Sequence, residues 1–77
     1  MSFDDLKAAL VSMGVPEEEI TEQAGREEAG LDSLGIAELV LILKQRHGLT
    51  ITEEELHEAG TVGDVLGIIA GHAAAGA

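Results

Sequence analysis

Cysteine is absent from this 77-residue chain, so neither a disulfide nor a thiolate metal site can hold it together. Basic residues are scarce. Four Lys and Arg stand against fifteen Asp and Glu, a formal net charge of −11. That balance argues against nucleic acid as a partner, because gripping phosphates needs clustered Lys and Arg. It also disfavours anionic membrane surfaces and favours basic patches on other proteins, reached by electrostatic steering. The same charge keeps a small domain in solution. Long apolar runs are missing; the longest, residues 39–43, has five residues and falls far short of a membrane span. The opening Met1-Ser2-Phe3-Asp4-Asp5 lacks the basic start and apolar stretch of a signal peptide. The expectation is a soluble, cytoplasmic, monomeric single domain with a thin core. Sustained period-two alternation is absent too, which argues against strands.

What is present has helical spacing. Phe3, Leu6, Leu10 and Met13 recur on one face and predict a helix over residues 3–13, opened by the capping-box pair Ser2 and Asp5 and stopped by Gly14. Residues 14–32 carry no stripe and predict a long loop, with room for one helical turn after Pro16. Loops of that length in a compact domain are often functional. A second helix is predicted from Ser33 to His47, ending at Gly48. Thr52 with Glu55 opens a short helix closed by Gly60. Thr61 with Asp64 opens a last one, ended by Gly71. The fold class expected is all-α: a small bundle of three main helices plus one short helix, a domain over residues 1–71 and a flexible tail over residues 72–77.

On a helical wheel Ile36, Leu39, Val40, Leu43 and His47 fall on one side of the second helix, an ordinary core stripe. Leu34, Ala37 and Leu41 fall on the other side, towards Ser33. Either this helix is central and buried on several sides, or Leu34 and Leu41 form an exposed patch that docks partners. Lys44, near the same direction, argues against deep burial. Asp32-Ser33 at the helix start reads as a common N-cap pair. It is equally a favourable place for a phosphate, since the first N–H groups of a helix lack internal partners and the dipole is positive there.

The run Gly30-Leu31-Asp32-Ser33-Leu34 resembles the mark of the acyl carrier protein family, Asp-Ser-Leu at the start of the second helix. The similarity continues through Glu38-Leu39-Val40 to Gly48, and includes Ile51, the acidic Glu53-Glu54-Glu55 and Thr61-Val62. It covers nearly the whole chain, including order and spacing of helices. The resemblance implies a small acyl-carrier-like bundle with a covalent 4'-phosphopantetheine arm, taken from coenzyme A, on Ser33. Asp32 would assist attachment through Mg²⁺ in a phosphopantetheinyl transferase. The terminal thiol would hold an acyl group as a thioester, making the domain a shuttle and not an enzyme. It further implies docking of a ketosynthase, acyltransferase or other acyl-processing enzyme on Leu34, Ala37, Glu38, Leu41 and Lys44. An acyl chain would tuck among Leu39, Leu43, Ile51, Leu56, Val62, Val65, Leu66 and Ile69.

The chain departs from that family's pattern in places. Lys44-Gln45-Arg46 stands where housekeeping fatty-acid carriers are acidic, the loop before Ser33 lacks the usual Phe and Leu, and His47 replaces a common Phe. Leu31 is expected to fill part of the loop's space. These departures favour a discrete carrier of a polyketide or other natural-product pathway. Ser33-Leu34-Gly35 is similar to D-alanyl carriers, so a stand-alone aminoacyl, peptidyl or D-alanyl carrier is one alternative. An unmodified acidic interaction module is another. His47, His57 and His72 match no metal-ligand spacing; His57 is expected to be solvated and His72 to lie in the tail.

Overall fold

The computed structural model describes residues 2–75. Four α-helices follow in order: α1 (Phe3–Ser12), α2 (Ser33–His47), α3 (Glu53–His57) and α4 (Val62–Ala75). A 3-10 turn, Glu17–Glu19, follows Pro16. Among the described residues no helix is long and apolar enough to cross a membrane. The bundle is the expected one, three main helices and a short one.

Local chemistry sets the helix starts. Ser2 and Asp5 form a reciprocal capping box. Thr52 Oγ1 accepts from the Glu55 amide at 3.2 Å, and Thr61 Oγ1 from the Asp64 amide at 3.1 Å. Each oxygen satisfies an amide that the helix geometry leaves without a partner. At the far end of α2, Gly48 takes the left-handed conformation, φ 66°, that closes a helix most readily without a side chain.

Two helix ends differ from expectation. α3 stops at His57, with Glu58 as its cap, before Gly60 is reached. α4 does not stop at Gly71; it runs on to Ala75. Glycine in a helix costs about 1 kcal/mol relative to alanine, and the alanines that follow are the best helix formers. His72 is therefore helical, and its Nε2 pairs with Glu55 Oε2 on α3. Only the end of the expected tail, residues 76 and 77, lies outside the described residues.

The core draws Leu6 and Leu10 from α1, Ile36, Leu39 and Leu43 from α2, Ile51 and Leu56 around α3, and Val62, Val65 and Ile69 from α4, all essentially buried. Burying each such side chain is worth about 1.5–3 kcal/mol. His47, placed on the core stripe by the wheel, is exposed, and Val40 is half-buried. The last turn of α2 has left the core by that point, so its Lys44, Arg46 and His47 face water, and the charges of Lys44 and Arg46 complement the helix dipole.

The long loop is ordered because it completes α4. The amides of Val62 and Gly63 donate to the carbonyls of Ala24 (3.0 Å) and Glu22 (2.9 Å), and an antiparallel bridge joins Gly25 to Thr61. First-turn amides that would otherwise be orphaned are thus paired with loop backbone. A Cβ on Gly63 would stand 3.1 Å from the Glu22 carbonyl oxygen, which explains a glycine in that turn; Gly67, by contrast, faces open space.

The Glu55–His72 pair carries a pH prediction. The His72 ring, hydrogen-bonded to the Glu55 carboxylate, is the main force holding that carboxyl below its ordinary value of 4.5; Thr52 adds to it and partial desolvation opposes it. The unfolded chain therefore binds the proton first as pH falls. Stability from this group is complete above about pH 4.5 and is lost as pH drops through the lowered value. Thermal melting followed from pH 6 downwards should show a shallower acid-side loss in Glu55→Gln than in the unaltered chain. Equal slopes would show that the pair contributes nothing.

Candidate functional site

Ser33 is the first residue of α2, and Asp32 is the cap. The division of labour matters for chemistry. Asp32 Oδ1 accepts from the Gly35 amide at 2.9 Å, and the Asp32 carbonyl accepts from Ile36. The Ser33 side chain is thereby released from capping; it is exposed, and no described residue hydrogen-bonds its hydroxyl. The chain's other serines are engaged. Ser2 caps α1, and Ser12 Oγ donates to the Ala9 carbonyl at 2.7 Å. Among the described residues Ser33 is the serine whose oxygen is free to be modified.

The position also fits a phosphodiester. The Ser33 and Leu34 amides at the tip of α2 find no acceptor among the described residues, while the next two amides are used by Asp32. Free donors at the positive end of a 15-residue helix stabilise an attached anion. Asp32 is exposed, with one carboxylate oxygen committed to the cap and the other without a partner among the described residues. These residues fit a phosphate ester on Ser33 and a cation-binding oxygen beside it.

Backbone packing fixes where Ser33 is presented. Gly35 is buried, and a Cβ there would lie 2.1 Å from the Gly30 carbonyl oxygen. The loop entering α2 thus rests directly on the first turn of the helix. Gly30 has φ +82°, a conformation that side chains rarely adopt, and a Cβ on it would meet Val15 at 2.6 Å. Between them Leu31 is fully buried, filling the space expected of it, together with Ile20 and Ala29. A shallow depression lined by Met13, Val15, Gly30, Asp32, Leu34, Gly35 and Glu38 adjoins the helix start.

The second face of α2 is open to water. Leu34 is 72% exposed and Leu41 53%. Glu38 and Lys44 are exposed and Ala37 is half-buried. A helix buried on several sides is therefore not what the chain makes. Of the eight residues expected to line a cargo pocket, Leu39, Leu43, Ile51, Leu56, Val62, Val65 and Ile69 are buried together in the core, and Leu66 packs half-buried against it.

Two residues that matter here, Arg26 and Gly35, give no signal in the sequence pattern. Arg26 is largely covered and donates to the Ala59 and Leu31 carbonyls. A lone arginine between glycines in a loop that tethers to backbone carbonyls leaves no periodic signal.

One comparison with known proteins bears on this site. The family model described as "Phosphopantetheine attachment site" matches residues 4–69, from the start of α1 to the middle of α4.

Proposed function

This chain belongs to the phosphopantetheine attachment site family, whose members carry a covalent 4'-phosphopantetheine arm, and on that premise we propose that it is an acyl carrier whose arm is joined to Ser33. The observation that carries the assignment to Ser33 is its free, exposed hydroxyl at the open tip of α2. The arm supplies the thiol that this cysteine-free chain lacks. Asp32 holds the helix start and offers its second oxygen to the Mg²⁺ of the attaching transferase.

Partners dock on the strip of Leu34, Ala37, Glu38, Leu41 and Lys44. Two large apolar side chains exposed on one helix face, beside the modified residue, support that reading. Cargo settles among Leu39, Leu43, Ile51, Leu56, Val62, Val65, Leu66 and Ile69, supported by their joint position in the aliphatic core. Catalysis belongs to the enzymes that load and unload the arm. Lys44 and Arg46, exposed on a helix that carries few other charges, favour partners of a polyketide or similar pathway over those of housekeeping fatty-acid synthesis.

Incubation with coenzyme A, Mg²⁺ and a broad-specificity phosphopantetheinyl transferase, followed by intact-mass measurement, tests the assignment. One arm's mass should be gained, and peptide mapping should place it on Ser33; no gain, or a gain elsewhere, would refute it. Leu41→Asp should load normally and then lose about tenfold or more in acyl transfer with a ketosynthase or acyltransferase that accepts the unaltered chain, as for removal of a central apolar contact. Unchanged transfer would remove Leu41 from the docking face.

A further inference from the structure

We propose that Arg26 is a positioning residue for attachment of the arm, holding the backbone that delivers Ser33 against the turn between α3 and α4. The inference rests on the reading of Ser33 as the attachment point. Arg26 stands seven residues before Ser33, and its side chain is only 13% exposed. Its Nε donates to the Ala59 carbonyl at 3.0 Å, and a terminal guanidinium nitrogen donates to the Leu31 carbonyl. Its backbone N–H donates to the Gly60 carbonyl at 3.0 Å, and its own carbonyl accepts from the Leu31 amide at 3.0 Å.

One residue therefore binds both backbone groups of Leu31, two positions from Ser33, and fastens them to residues 59 and 60. The guanidinium contact with Glu27, 3.8 Å away and mostly exposed, adds little. No hydrogen bond or ion pair of Arg26 reaches Ser33 or α2 among the described residues; its effect passes through Leu31. A planar fork can reach two carbonyls at once, and a lysine cannot reproduce that geometry.

Without the fork, the loop would visit arrangements in which Ser33 is turned away. A transferase binds only the competent fraction, so the apparent KM for the carrier rises by the inverse of that fraction while turnover of the bound carrier is kept. A global loss of folding gives no such split once only folded chains are counted.

The experiment measures initial rates of arm transfer from coenzyme A by mass spectrometry, over a range of carrier concentration. The chains are the unaltered one, Arg26→Met, Arg26→Lys and the core control Leu6→Val, at a buried α1 position outside the site. Amide exchange at Leu31 is recorded alongside. Arg26→Met should raise KM about tenfold or more with kcat within about twofold, and should speed exchange at Leu31. Arg26→Lys should fall between it and the unaltered chain, and Leu6→Val should leave KM unchanged. A folded Arg26→Met with unaltered KM would overturn the proposal, as would an equal rise in Leu6→Val. If Arg26→Met does not fold, Arg26→Lys decides on the same readouts. Failure of the unaltered chain to load would instead overturn the reading of Ser33.

Discussion

Ser33→Ala is expected to abolish arm attachment completely while leaving melting temperature and helix content unchanged. The reason lies in how the first turn of α2 is held. Asp32, not Ser33, supplies the capping oxygen to the Gly35 amide, so removing the Ser33 hydroxyl costs no hydrogen bond within the described residues. The side chain is exposed, and substitutions at such places usually change stability by no more than about 0.5 kcal/mol. Ser12, bonded to the Ala9 carbonyl, and Ser2, engaged at the start of α1, do not lie at the tip of α2. Intact mass and circular dichroism on the same preparation make the test. A residual mass gain in Ser33→Ala would place the arm elsewhere. Asp32→Ala is a useful companion, since it should lower both helix stability, by about 1 kcal/mol for the lost cap, and loading rate. Asp32→Asn, which can still cap, should restore the first and not the second.

Gly35→Ala should be among the most damaging single-methyl additions available in the chain. In an open helix position the same change would stabilise by up to about 1 kcal/mol. Here the new carbon would meet the Gly30 carbonyl oxygen at 2.1 Å, and that oxygen belongs to backbone, which cannot rotate aside as a side chain does. The loop would have to lift, taking buried Leu31 with it. Overpacking of a tight site costs about 1–3 kcal/mol and sometimes more; a backbone obstruction puts this one near 3 kcal/mol. For a domain of this size that is a fall in melting temperature of roughly 12–24 °C. Gly67→Ala, at a helical glycine with nothing within 4 Å, is the matched control and should raise it. Equal effects at the two positions would mean that the loop does not press on α2.

The helices were legible because their signals are local. Capping pairs at Ser2/Asp5, Thr52/Glu55 and Thr61/Asp64 are short-range chemistry, and all three are made. The double face of α2 was legible as well, since a 100° period places Leu34 and Leu41 away from Ile36, Leu39 and Leu43 whatever surrounds them. Besides Gly60, which α3 stops short of, two misjudged residues show the effect of their surroundings. Gly71 looks like a stop, but the alanines after it and the reach of His72 to Glu55 carry α4 on. His47 completes a stripe that the core has already left behind. The loop was the least legible part. Its structure comes from carbonyls, amides and the closeness of Gly30 to Gly35, none of which repeats along the chain.

The pairing of the loop with the first turn of α4 has a consequence for how this domain assembles. The amides of Val62 and Gly63 are closed by carbonyls about forty positions earlier. The first turn of the last helix is therefore completed by a distant stretch of chain. Closing so long a span carries an entropic cost before any contact rewards it. Docking of the loop and completion of α4 then belong to one cooperative event, and the chain that presents Ser33 is the same chain that seals the final helix. A chain with the final helix sealed is one that already has its attachment point in place.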